Sequence, residues 1–346
     1  MRLAISKGLC KAGLNALTST IRHLSIMSAS IKIGQRLEGK VGSYFVSAQV
    51  AKDIWTATKS NSQAGKVIIK TAPQGRLENE RDVLKHFYTC SHIRQLLDET
   101  KTPPSLILQH LDDDLLHASN VKSLESSDVK FVAKRVLQAI QALHEDEYTH
   151  TDIKPDNILV NYGTGSSRFL DVQLADFGDV TQIDPKDYLK VGIDGPHMGA
   201  AIFRSPEAMM QLRWGQSTDI WSFGTTLISL IWGLNWHMFK PDPKDATADD
   251  EEYLIHIIIR QLAHFGPVPK SYIDLIPRED GDRWSILGSA TQYIKDNQKQ
   301  RPFKLIEDDC LTEEDREFLL KVMKLDPRDR PTAKQLLQDK WFSGVS

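Results

Sequence analysis

Eleven consecutive residues, His150-Thr151-Asp152-Ile153-Lys154-Pro155-Asp156-Asn157-Ile158-Leu159-Val160, constrain this chain more than any other stretch. They set a carboxylate, a cation and a side-chain amide in one short loop, directly before an apolar run of strand type. The five-residue step from Asp152 to Asn157 lets both side chains face one cleft. Transfer of a γ-phosphoryl group asks for these kinds of group: a carboxylate to orient the attacking hydroxyl, a cation on the phosphate oxygens, and ligands for the metal that neutralises them. Alone, a His-x-Asp segment also fits a solvated turn. The sequence Leu174-Ala175-Asp176-Phe177-Gly178 then adds an apolar run, a second carboxylate, an aromatic anchor and a glycine that permits a sharp exit.

Together these segments resemble the catalytic loop and metal-binding triplet of eukaryotic protein kinases. The resemblance implies that Asp152 is the base, that Asn157 and Asp176 hold Mg2+, and that Lys154 touches the γ-phosphate of ATP. It implies an α+β, bilobal fold, with a small and mainly antiparallel-sheet lobe over residues 41–111 and a larger helical lobe over 112–343. The alternative is a pseudokinase, a nucleotide-binding or scaffolding module without turnover, and two departures described below motivate it.

A chain of 346 residues is long enough for two lobes. Its net charge of −3 gives no global attraction to nucleic acid or to an anionic membrane, so no direct nucleic-acid partner is expected. Three cysteines, Cys10, Cys90 and Cys310, are odd in number and far apart, which argues against a disulfide framework and for a reducing compartment. A cytoplasmic or nuclear monomer is the expectation. Residues 1–30 carry Arg2, Lys7, Lys11 and Arg22 with serines and threonines, and no acid occurs before Glu38. That composition fits a mitochondrial presequence, a disordered basic arm, or a reading frame whose real start is Met27. The uncharged run Trp221 to Phe239 approaches the ~20 residues of a membrane span, but its Ser222, Thr225, Thr226, Asn235 and His237 fit a buried helix better.

In the small lobe, strand-like runs cover Tyr44 to Val50, Ile54 to Thr58 and Lys66 to Thr71, with a turn-rich segment between the last two. Val67-Ile68-Ile69-Lys70 resembles the strand whose lysine grips the α- and β-phosphates, and Glu80, on a short helix expected over Leu77 to Phe87, is its ion-pair partner by that resemblance. Only ten residues separate them, which implies a clipped helix or connection. The phosphate loop then falls at Val50-Ala51-Lys52-Asp53, with Ala51 and Ile54 beside the nucleotide, and it contains no glycine. Glycine is what lets backbone amides approach phosphates closely, so ATP affinity is the property this loss touches. The Gly39-Lys40-Val41-Gly42 turn is the second-ranked position. Leu106 to Leu111 reads as the strand entering the hinge, with Leu108 lining the pocket, Gln109, His110 and Leu111 offering backbone groups to adenine, and Asp114 near the ribose.

The large lobe begins with a helix over Asp128 to His144, which sets Phe131, Val132, Val136, Ile140 and Leu143 on one face. Ser205-Pro206-Glu207 resembles the close of a kinase activation segment, Asp219 to Gly224 the start of the central buried helix, and Arg330 the buried partner of Glu207. Thr312 and Thr332 open capping boxes. These three signatures favour a protein substrate over a small one, and Lys154-Pro155 resembles serine/threonine kinases. His150 to Pro155, Phe203 to Glu207 and the acidic insert before Leu254 resemble the serine/arginine-rich-protein kinases, of CMGC type. That resemblance implies a basic, arginine/serine-rich protein substrate. Asp242, Asp245, Asp249, Asp250, Glu251 and Glu252 make up the insert's charge, with Lys244 the one nearby offset.

Overall fold

The computed structural model describes residues 31–60, 65–165, 167–184, 190–192 and 194–345. The presequence-like segment 1–30 lies outside the described residues.

The small lobe is built on β1 (Arg36–Glu38), β2 (Ser43–Ala51), β3 (Ile54–Lys59), β4 (Lys66–Lys70), α1 (Gln74–His86), β5 (Leu96–Lys101) and β6 (Pro104–Gln109). All pairs are antiparallel in the order β1-β2-β3-β4-β6-β5. Period-two alternation sorts the β4 and β6 side chains onto two faces. Val67, Ile69 and Ile107 join Leu37, Tyr44, Val46 and Trp55 in the small-lobe core, while Ile68, Leu106 and Leu108 turn to the large core that continues through the cleft into the helical lobe. Lys70 lies two residues beyond Ile68, on that same cleft face. Ile31 and Leu37 belong to the small-lobe core, so its packing begins ahead of residue 41.

The Gly39 to Gly42 turn is not at the cleft. It folds onto β5, where Gly39 bridges Thr100 and the Lys40 and Val41 amides both donate to the Asp98 carboxylate at 3.0 Å. Asp98 leaves no room for a Cβ at Gly39. The six-stranded sheet is thereby rolled toward closure.

The large lobe contains β7 (Asp113–Asp114), α2 (Leu115–Val121), α3 (Ser126–Glu145), β8 (Tyr148–Thr149), β9 (Ile158–Tyr162), β10 (Phe169–Leu174), β11 (Thr181–Gln182), α4 (Pro206–Met209), α5 (Ser217–Trp232), α6 (Tyr253–Phe265), α7 (Gly281–Asp296), α8 (Glu313–Val322) and α9 (Ala333–Leu336). On α3, Val132, Val136, Ile140 and Leu143 are buried as their spacing requires, with Phe131 half-buried at the margin. The capping boxes at Thr312 and Thr332 are formed. The central apolar run does not make one helix to Phe239: α5 stops at Trp232 because Gly233 takes φ 63°, a left-handed conformation that glycine adopts without strain. Among the described residues no helix is long and apolar enough to cross a membrane.

Candidate functional site

The loop that begins at His150 is held from beneath by one buried carboxylate. Asp219, in the first turn of α5 and fully buried, accepts from the backbone amides of His150 at 2.7 Å and Thr151 at 2.9 Å. The His144 ring lies 3.0 Å from the same carboxylate. These bonds fix Thr151 at φ 73°, and the chain then turns Asp152 into the cleft. The His150 ring contacts the Ala175 carbonyl at 3.1 Å and meets the buried Phe177 edge-on at 5.0 Å, which ties the loop to the Asp176 triplet.

Asp152, Lys154 and Asn157 do converge. Asn157 Nδ2 donates to the Asp152 carbonyl at 2.8 Å and to its Oδ2 at 3.0 Å, and Lys154 Nζ lies 3.0 Å from that same Oδ2. Burial works against the charge on Lys154, but Asp152 and Asp156 more than offset it, so its pKa sits above the ordinary lysine value and the group is a cation at neutral pH. The other Asp152 oxygen accepts from the Ala200 amide at 3.0 Å. The activation segment therefore reaches the carboxylate through backbone, at a position where no hydroxyl is available.

Across the cleft, Lys70 Nζ bridges Glu80 at 2.7 Å and Asp176 at 2.8 Å. Burial alone would raise Asp176, yet the adjacent Lys70 holds it below the usual carboxylate range. It is thus ionised and suited to a divalent cation. Asp176 takes φ 62°, which turns its side chain toward Lys70 as Phe177 buries behind it. The short Lys70 to Glu80 step comes from the connection and not from the helix. Only residues 71–73 intervene before α1 begins at Gln74, three residues ahead of the expected Leu77 start, and α1 runs 13 residues.

A carboxylate, an amide and a second carboxylate, with two lysines around them, form a donor set that fits Mg2+ and the phosphates of ATP. Asn157 and Asp176 would hold the ion, which supplies charge neutralisation on the phosphate oxygens.

The remaining base-site residues are placed unevenly. Leu108 is fully buried, and Ile54 pairs with Lys70 at the cleft face. Ala51 sits exposed at the end of a two-residue hairpin, Lys52-Asp53, with Asp53 at φ 61°. Gln109 is engaged on both backbone groups: its amide donates to the Gln95 carbonyl at 2.9 Å and its carbonyl accepts from Arg94 Nε at 2.9 Å. His110 follows half-buried, and Leu111 is buried. Asp114 caps α2 by accepting from the His117 amide at 2.8 Å, and burial raises its pKa.

Sequence reasoning missed four residues. Asp219 lay inside a recognised segment, but its grip on the loop 69 residues away was not visible there. Asn79 of α1 donates to the carbonyls of Gly178 at 3.1 Å and Val180 at 2.9 Å, and Arg76 pairs with Asp179 at 2.7 Å, so α1 clamps the segment after the triplet. Arg94 is the fourth. It lies in the mixed segment Ser91 to Gln95, which carried no signal in the sequence.

The protein kinase domain family matches residues 31–342. A dual specificity protein kinase of Homo sapiens, CLK4, is 27% identical over 250 residues, covering 66% of this chain and 47% of that protein. The serine/threonine-protein kinase Doa of Drosophila melanogaster is 26% identical over 252 residues, 66% of this chain and 28% of its own length. A probable cyclin-dependent serine/threonine-protein kinase of Dictyostelium discoideum is 25% identical over 248 residues, covering 68% of this chain and 15% of that protein. The chain thus spans less than half the length of these relatives. With the bilobal architecture and the convergence of Lys70, Glu80, Asp152, Asn157 and Asp176, the match places this chain in the protein kinase domain family.

Proposed function

We propose that this chain transfers the γ-phosphate of ATP, with Mg2+, to serine or threonine of a protein substrate. The observation that carries this reading is the Asp152 carboxylate held between Asn157, Lys154 and the Ala200 amide, opposite the Lys70, Glu80 and Asp176 cluster. Asp152 orients the attacking hydroxyl, Lys154 balances charge on the transferring group, and Lys70, fixed by Glu80, meets the α- and β-phosphates. Lys154-Pro155 supports serine/threonine over tyrosine as acceptor. A radiolabelled-ATP assay on an arginine/serine peptide tests the proposal, with Asp152→Ala as background. Absence of any counts above that background would leave the pseudokinase reading, which the glycine-free hairpin at Lys52-Asp53 favours.

The substrate is proposed to be basic around the acceptor. Asp249, Asp250, Glu251 and Glu252 are all exposed just ahead of α6. The acidic run is less free than its composition suggests, because Asp245 is taken up by Lys299 at 2.8 Å. The remaining field is felt within about one Debye length, ~8 Å, which suits a tethered docking segment. Neutralising Asp249 to Glu252 is expected to lower kcat/KM for an arginine/serine peptide by about tenfold and to leave an acidic serine peptide unchanged. Equal rates on both peptides, or no response to neutralisation, would remove the docking claim while sparing the catalytic one.

Activity is expected without phosphorylation of the activation segment. Thr151 precedes the base and carries no charge; its hydroxyl donates to the Asp179 carbonyl at 3.1 Å. Arg76 is paired with Asp179, and Arg204 donates to the Met198 and Gly199 carbonyls at 2.7 and 2.8 Å. Neither Arg76 nor Arg204 is thus left free to receive a phosphate. Between Gly178 and Gly199 the hydroxyls are Thr181, which donates to the Asp179 carbonyl, and Tyr188, which lies outside the described residues. Phosphatase treatment, or Thr181→Ala with Tyr188→Phe, should leave most activity in place; loss of the greater part would sink this expectation.

A further inference from the structure

Arg94 lies where a base would be read. The backbone of its segment pairs with the end of β10: the Arg94 amide donates to the Leu174 carbonyl at 2.9 Å and the Leu174 amide to the His92 carbonyl at 2.8 Å, two residues before Asp176. On the other side, Gln95 receives the Gln109 amide. The Arg94 side chain therefore starts at the back wall of the cleft, and its Nε donates to the Gln109 carbonyl at 2.9 Å. His110 feels its charge, and it in turn feels the charges of Glu80 and Asp176. Burial pushes Arg94 down to about 10, with Glu80 and Asp176 pulling it back up, so it stays a cation near neutral pH. Among the described residues its two terminal nitrogens have no hydrogen-bond partner.

We infer that Arg94 sets the base preference of this cleft: it competes with adenine for the Gln109 carbonyl and admits guanine nucleotides alongside ATP. The inference rests on the nucleotide-site reading above. The chemistry is a matter of donors and acceptors. Adenine brings a 6-amino donor, and a guanidinium has only donors to set against it, so the amine must displace Arg94 to reach Gln109. Guanine brings two adjacent acceptors, O6 and N7, the pair that a guanidinium meets bidentately. The terminal nitrogens of Arg94 supply that fork while Nε keeps its bond to Gln109. A site holding an unpaired donor discriminates by the partner each base offers.

The test is calorimetric binding of MgATP and MgGTP to the full chain, with Arg94→Val and Arg94→Met as variants and Lys70→Met as the background for non-specific binding. Wild-type dissociation constants should agree within about tenfold, and both variants should tighten ATP while weakening GTP, opening the ratio about tenfold or more. A wild-type preference for ATP beyond about tenfold, or a ratio unmoved in variants whose unfolding temperature matches wild type, would overturn the assignment while leaving the nucleotide site intact. Binding of neither nucleotide to wild type or variants would instead overturn the nucleotide-site reading, and this assignment with it. The wild-type ratio alone decides the point if both variants fold poorly.

Discussion

Replacing Asp152 or Asp176 by alanine is expected to abolish phosphotransfer while the fold survives. A positioned base contributes roughly 10²–10⁴-fold, and loss of a metal ligand leaves the charge on the bridging phosphate oxygens without its counter-ion. Asp152 makes its side-chain contacts to Lys154, Asn157 and the Ala200 amide, polar groups outside the hydrophobic core. Asp176 needs more care, because at φ 62° an alanine is strained in a way that asparagine is not. Asp176→Asn keeps the backbone and removes the charge, so it separates metal binding from strain. In both variants Lys70 retains Glu80 at 2.7 Å, which should keep α1 docked. The check is initial rate at saturating MgATP beside a thermal melt. Full turnover by a purified Asp152→Ala protein would sink the mechanism.

The largest loss of stability is expected at Glu207 and Arg330. Both side chains are fully buried and meet through two parallel bonds of 2.6 and 2.8 Å. Arg330 also donates to the carbonyls of Ser217, Lys324 and Leu325, so one guanidinium ties α4, α5 and the chain before α9 together. Glu207→Gln or Arg330→Met leaves one charge buried without its partner, which costs about 3–5 kcal/mol. The double variant Glu207→Gln with Arg330→Met removes both charges and should recover part of that loss, as coupled neighbours do. Denaturant midpoints of the two singles and the double measure this. Singles within about 1 kcal/mol of wild type would show that water reaches the pair.

What the sequence disclosed follows from how far each function reaches along the chain. Phosphoryl transfer needs Asp152, Lys154 and Asn157 within one loop, so their chemistry was written in adjacent letters. The partnerships of Lys70 with Glu80 and of Arg330 with Glu207 were readable only through the resemblance of their segments to those of protein kinases, and the short step from Lys70 to Glu80 spoke against the first. Contacts between distant segments left no such trace. Asp219 beneath the catalytic loop, Asn79 on the segment after Gly178, and Arg94 against Gln109 depend on how strands and helices stack, which no local spacing encodes. The end of α5 at Trp232 was missed for a related reason: an apolar run reports burial but not conformation, and Gly233 ended the helix inside a stretch that stays buried up to Ile231 and again at Met238 and Phe239.

The turn from Gly39 to Gly42 has a consequence for how other chains can approach. A sheet with an open margin invites a further strand, the basis of both strand-addition docking and edge-to-edge aggregation. Here β1 is only three residues long, and the Lys40 amide donates to the Glu99 carbonyl on the opposite margin at 3.2 Å. Glu99 is flanked by Lys40 and Lys85, each at 2.7 Å, so ionised side chains line the seam. An incoming extended peptide would have to break that seam to pair along this margin. Strand addition at this margin is thereby disfavoured, because ionised side chains and a closed backbone bond stand where a new strand would have to pair.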